Sequence, residues 1–294
     1  MSRSRLPREA LLIALFDACW CIGGIWVYGV PALGVILLLR WLSFDVAWWA
    51  VPLALPLAWI LFLVGAILCA GTLRLVLPRP RKGTSTVFVG KPFAAFLAGW
   101  GLENYFPRPL LTHIQLLTAL RYLHGRALGM RLHWSTHISP GTELHSYPLI
   151  SLGRFTYLGE GAGLTGHLSR GDKLYQAPVR FGDHCNVGAR TNVGPGCSFG
   201  DRVRVGALVD FAPGVEVEDD VEIEPRCHVG MGVRIERGAY IEARSYLPTY
   251  MIIPAGERWG GDPVRKLGEV VPRDERGRRR RKRNGAEPRD SVEA

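Results

Sequence analysis

Phe181-Gly182-Asp183-His184-Cys185-Asn186-Val187-Gly188-Ala189-Arg190-Thr191-Asn192-Val193-Gly194 holds two complete units of a six-residue pattern and the start of a third. An aliphatic residue or Phe opens each unit. The frame continues through Phe199, Val205, Phe211, Val217, Ile223, Val229, Ile235, Ile241 and Leu247 to Ile253. Gly follows the frame residue at 182, 188, 194, 200, 206 and 230, and the position four beyond it is small or β-branched from Cys185 to Ser245. Six is even, so a strand's period of two keeps both positions on one inner face. A helix rotates by more than about 200° over six residues and cannot hold the pattern on one side. Short strands alternating with corners, bent at small residues or permissive glycines, stack into coils with one continuous core. The frame returns upstream at Leu152, Leu158 and Leu164, and before that at Leu132, Ile138 and Leu144. Two breaks interrupt it. Leu144 to Leu152 has two extra residues. Leu164 to Phe181 contains an excursion, 169–178, that leaves the coil just after His167.

Charge is distributed by segment. The 294 residues carry a formal +10, yet residues 132–272 hold 14 basic and 17 acidic side chains. The mildly acidic coil argues against a nucleic-acid groove on its surface. The positive charge lies in residues 1–9, in 74–131 and in 273–294, a pattern that suits anionic lipid head groups. The run from Arg276 to Arg283 reads as a solvated tail.

Residues 18–39 and 46–73 contain no charged side chain, and each exceeds the ~20 residues needed to cross a ~30 Å hydrocarbon layer. The linker 40–45 leaves room only for a tight turn, so the pair reads as a helical hairpin. Trp41, Phe44, Trp48 and Trp49 crowd the turn end, as expected at an interface. Arg3, Arg5 and Arg8 precede the first span; Arg74, Arg79, Arg81 and Lys82 follow the second. The positive-inside rule then places both termini in the cytoplasm. In the connector, Leu110, Leu111, Ile114, Leu117, Leu120 and Leu123 recur at helical spacing. This predicts an amphipathic helix lying on the inner leaflet or packed on the coil.

Cys185, Cys197 and Cys227 occupy the inward fourth position on three different faces, which makes them core filler that stays reduced in the cytosol. His145, His184 and His228 raise a zinc alternative. The γ-class carbonic anhydrases share this kind of coil, but the pair of histidines five apart that the class uses is absent, and no metal site is assigned.

The repeat resembles the hexapeptide-repeat acyltransferases. That resemblance implies a left-handed parallel β-helix with three hexapeptides per turn, trimeric assembly and active sites between subunits. The stretch Thr165-Gly166-His167, followed by a loop and Ala177-Pro178-Val179, is similar to the maltose and galactoside O-acetyltransferases and implies that His167 is the general base. The closing segment Glu257-Arg258-Trp259-Gly260-Gly261-Asp262-Pro263-Val264-Arg265-Lys266 resembles the turn that borders the coenzyme A channel in this family, with Val264 in place of Ala. Arg265 and Lys266 are the implied partners of donor phosphates, and Trp259 and Gly206 the implied donor contacts. The membrane segments, Gly99-Trp100, Leu128-Gly129, the Gly-His loop and the Glu-Arg-Trp-Gly-Gly-Asp-Pro ending together resemble the terminal module of poly-lysine-type nonribosomal peptide synthetases. This chain has one such unit and no adenylation or carrier segment.

The expected organisation is a basic tail over 1–10, transmembrane helices over 11–39 and 46–73, a basic connector over 74–131, the β-helix over 132–268 and a disordered basic tail over 269–294. The expected activity is acyl transfer, with acetyl-CoA as the expected donor, to a hydroxyl or amine at the cytoplasmic membrane face; a lipid-linked glycan intermediate is one such acceptor. No covalently bound cofactor is implied. The partners are membrane lipid, the acyl donor and two further copies of the chain, with no nucleic acid. Two alternatives stand beside it. One is a peptide-bond-forming module fed by the phosphopantetheine arm of a carrier protein. The other is a non-catalytic trimeric scaffold.

Overall fold

The computed structural model describes residues 6–87 and 89–270. Residues 1–5 of the N-terminal segment and the basic tail from residue 271 onward lie outside the described residues.

The repeat forms a parallel β-solenoid with three faces. One face stacks seven strands from Arg131–Leu132 to Ile252–Ile253. The second runs from His137–Ile138 to the terminal hairpin of Glu257–Gly260 and Arg265–Glu269. The third runs from Glu143–His145 to Tyr246–Leu247. The frame residues from Phe181 to Ile253 are all buried, as are the fourth-position side chains from Cys185 to Ser245. Val205 sits between Val187 and Ile223, each 18 residues away, so one coil is three hexapeptides. The eight-residue step after Leu144 is absorbed by Ser146 in the left-handed conformation (φ 66°, ψ 53°) and a short turn over Tyr147–Leu149.

The corners differ from the expectation. The left-handed backbone recurs every six residues, three beyond the frame residue, at 184, 190, 196 and on through 256. Glycine fills only some of these sites; His184, Arg190, Arg202, Leu208, Asp220, Arg226, Arg244 and Tyr250 fill the others. Each such residue costs roughly 1–2 kcal/mol locally, and the parallel ladder and the core offset it. The glycines directly after the frame residue serve another purpose. A Cβ on Gly206 would lie 2.7 Å from Cδ of Pro225 and 2.8 Å from the Glu224 carbonyl carbon in the next coil. These positions are glycine because adjacent coils approach there, and not because φ is positive.

Helix α1 (Leu6–Gly24), a π turn (Ile25–Gly29), α2 (Val30–Trp41) and a second π turn (Leu42–Val46) run on without a break. Helix α3 (Ala50–Val76) returns beside them. Two helical stretches, Ala14–Val46 and Ala50–Val76, are long and apolar enough to cross a membrane. The turn lies at residues 47–49, later than the expected 40–45. Nothing in 40–45 breaks a helix, whereas Ala47 is extended (φ −167°, ψ 137°). Pro52 falls in the first turn of α3, where its missing N–H is no loss.

The connector is three helices: α4 (Gly90–Glu103), α5 (Arg108–Leu116) and α6 (Thr118–Ala127). Of the two readings of its apolar stripe, packing on the coil is the one realised. Ile114 and Leu120 join the core of Leu132, Ile138 and Leu144 and close the open end of the solenoid. Arg121 is buried there; its guanidinium donates to the carbonyls of Gln115 (3.1 Å) and Thr136 (3.2 Å). Leu117, at φ −100° and ψ 119°, divides the stripe between two helices.

Candidate active site

His167 stands where the chain leaves the third face. The strand Gly163–Thr165 belongs to the coil, and His167–Arg170 then turns out as one arm of an antiparallel hairpin with Lys173–Gln176. A strand from just after α3, Gly83–Thr86, adds to the other arm. The excursion is thus a three-stranded sheet tied to the helical end of the molecule. The Phe96 ring of α4 packs edge-on against the His167 ring, with centroids 4.7 Å apart.

Hydroxyls hold the imidazole. Nδ1 of His167 lies 3.0 Å from Ser146 Oγ and 3.2 Å from Thr165 Oγ1. The Thr165 hydroxyl donates to the His167 carbonyl at 3.0 Å, so it offers only a lone pair to Nδ1. Assigned from this network, the proton sits on Nδ1 and Nε2 keeps its lone pair. Burial, and next the neighbouring His145, hold the His167 pKa below its ordinary value, so the ring is neutral near pH 7. The two rings lie 6.3 Å apart.

Ser146 is itself fixed from α4. The Glu103 carboxylate accepts the backbone N–H groups of Ser146 (3.1 Å) and Tyr147 (3.0 Å). Burial pushes the Glu103 carboxyl up to about 7, against those two hydrogen bonds and the Arg74 charge, which pull it down. Glu103 therefore positions the turn that positions the imidazole. Ser146, Glu103 and Phe96 were not among the residues expected at the site.

Two clefts lie beside His145. A groove of about 350 Å³ runs along the third face past Thr165, Leu168, Asn192, Pro195 and Pro213. A pocket of about 400 Å³ lies on the connector side, bordered by Glu103, Arg108, Gln115 and Tyr147, with Arg108 paired to Glu143. His145 borders both.

The other expected residues lie elsewhere. From Leu158, in the coil of His167, the second face steps through Val187, Val205, Ile223 and Ile241 to Trp259, five strand spacings or about 24 Å. Lys266 is engaged with Glu257 and, at 2.9 Å, with Glu269; Trp259 Nε1 donates to Glu257 at 2.8 Å. Arg265 is exposed on the terminal hairpin. Gly206 lies within the coil stack described above. A single donor touching both His167 and this end must lie extended along the coil axis. His184 stacks on Phe155 and His228 on Tyr246, each apart from His167. Among the described residues no group of three or more metal-ligating side chains converges.

No protein-family model matches the chain, and no curated protein is similar to it. Among solved structures, a mutant of AntD, an N-acyltransferase of Bacillus cereus bound to dTDP and coenzyme A, is 14% identical with a TM-score of 0.41, over 55% of this chain and 95% of that one. A hexapeptide-repeat acetyltransferase of Vibrio cholerae bound to acetyl coenzyme A is 19% identical with a TM-score of 0.35, over 58% of this chain and 90% of that one. By its own 18-residue coil and inward six-residue frame, the chain is built as a hexapeptide-repeat β-helix.

Proposed function

We propose that this protein is an acyltransferase held at the inner face of the cytoplasmic membrane, moving an acyl group, with acetyl as the leading candidate, from coenzyme A to a hydroxyl or amine. The observation that carries the reading is the His167 ring, held at Nδ1 by the hydroxyls of Ser146 and Thr165, beside His145, which borders both a groove and a pocket. The donor lies along the third-face groove with its thioester at His167. The acceptor's proton passes to Nε2 as its oxygen or nitrogen attacks the carbonyl carbon. Backbone N–H groups stabilise the oxyanion. The C–S bond then breaks and the imidazolium returns the proton to the departing thiolate. No covalent acyl-enzyme is formed. In this reading the protein is a trimer with sites between subunits, and Arg265 and Trp259 meet the far end of an extended donor.

Coenzyme A should raise the melting temperature of the purified protein, and acetyl-CoA with an acceptor should release free thiol. Absence of both would remove the enzyme reading and leave the scaffold. The pH profile gives a second test. Because the His167 pKa is lowered from 6.5, the base stays unprotonated further into acid, and the acid limb of kcat/KM should fall below pH 6.5. His145→Ala removes a neighbour that, when protonated, opposes protonation of His167, and should move that limb upward. A limb above pH 6.5 in the parent would exclude His167 as the base.

The membrane reading rests on the two apolar helices and the surrounding cations. With Cys19, Cys21 and Cys69 replaced by alanine, Ser43→Cys should react with an impermeant maleimide from outside the cell, and Lys173→Cys should not. The reverse labelling would invert the topology.

A further inference from the structure

A third cavity, of about 630 Å³, lies between α1, the end of α3 and α4. Its walls include Phe16 and Trp20 of α1, Trp26 of the π turn that follows, Leu77, and Leu97 and Ala98 of α4. The polar atoms of these walls are spent on one another. Trp20 Nε1 donates to the Gly101 carbonyl (3.2 Å), Tyr105 Oη to the Trp20 carbonyl (2.6 Å), and Trp26 Nε1 to Thr72 Oγ1 (3.0 Å). Trp20 also stacks on Tyr105, with centroids 5.5 Å apart. The cavity is therefore preformed and apolar, a shape for hydrocarbon and not for water.

Three features identify the occupant. First, α4 is two-sided: Leu97 and Ala98 line this cavity, while Phe96 meets His167. Second, Leu77 and Ala94 line the cavity, and the chain next to them, on the side taken as its mouth, carries Arg79, Arg81, Lys82 and Lys91, all exposed. No acid occurs between Asp45 and Glu103. That mouth is complementary to an anionic group. Third, Lys82 adjoins Gly83, which is in register with Gln176, which is in register with His167. Two strand spacings, about 10 Å, separate the backbone at Gly83, next to Lys82, from the backbone at His167.

We infer that the cavity holds the hydrocarbon chain of a lipid phosphate, with the phosphate at the Lys82 cluster and the acceptor hydroxyl or amine carried beyond it to His167. The chain and phosphate site stands on the cavity and the charges. Only the fate of the head group rests on the acyl-transfer reading.

The probe is a polyprenyl phosphate with a diazirine in its chain, photolysed on the full-length protein in nanodiscs without acyl donor. Saturable adducts should map to the peptides of Trp20 and Ala98. Ala98→Phe fills the cavity and should weaken labelling on the order of tenfold, with the coenzyme A thermal shift unchanged. Ala94→Phe, at the mouth, serves if Ala98→Phe does not fold. Lys82→Glu should weaken labelling as well. Adducts spread over the outer helix faces and indifferent to these substitutions would overturn the site. Equal cavity labelling by a diazirine phosphatidylglycerol would overturn the assignment to a lipid phosphate acceptor, because the occupant would then be bulk bilayer lipid. Labelling kept while coenzyme A protection and thiol release are absent rejects the reaction and retains the lipid site; the converse rejects the lipid site alone.

Discussion

His167→Ala should lower acyl-transfer turnover about 10²–10⁴-fold, the usual range for loss of a general base, while coenzyme A binding stays close to the parent's. The donor is held along the coil, and the imidazole is asked only to accept a proton from the acceptor. Its loss should also leave the melting temperature nearly unchanged, because the ring is only partly buried and the hairpin is held by its strand pairs to 83–86 and 173–176. His184→Ala and His228→Ala are the controls. Their rings stack on Phe155 and Tyr246 and take no part in the Ser146, Thr165 and Phe96 contacts that hold His167, and both variants should keep most activity. Thiol release in steady state with a soluble hydroxyl or amine acceptor reads the first effect, and calorimetric titration of coenzyme A reads the second. Near-parent turnover in His167→Ala would end the catalytic assignment. A large loss of donor affinity would instead make His167 part of the donor site.

What could be read before any coordinates differs between coil and site for a physical reason. A solenoid repeats its local rule, so a period of six recurring from Phe181 to Ile253 specifies register, face and neighbours together. The break in that rule after Leu164 pointed to the position of His167, and only the resemblance of Thr165-Gly166-His167 to the O-acetyltransferases implied its role. The other failure, the eight-residue step from Leu144 to Leu152, was equally visible and holds Ser146, the second member of the site. Its meaning was hidden because a two-residue insertion does not say which side chain turns inward. Glu103 had its own signal as the one acid among residues 74–131. Its partners, the N–H groups of Ser146 and Tyr147, are more than forty positions away and are brought near only by α4 docking. The helical hairpin shows the opposite case. Freedom from charge located both apolar stretches but not the turn, because Arg40 and Asp45 can extend from a helix end as readily as from a loop.

Val205→Asp should destabilise the coil by about 3–5 kcal/mol, the cost of leaving a buried charge without a partner. Val205 is 5% exposed, and its strand neighbours Val187 and Ile223 offer no polar atom to a carboxylate. The site lies in the fourth coil, so relaxation at an end cannot relieve it. Adjacent coils supply each other's core, and a break there should separate the two halves. Arg204, one residue earlier on the same strand, points outward and is exposed. Arg204→Gln should therefore stay within about 0.5 kcal/mol of the parent. The pair tests register and fold at once, since a slip of one residue would exchange the two outcomes. Thermal melts and limited proteolysis of both variants give the answer. Cleavage between residues 187 and 223 in Val205→Asp alone is the expected pattern, and equal melting of the two variants would mean that the six-residue frame does not face the core.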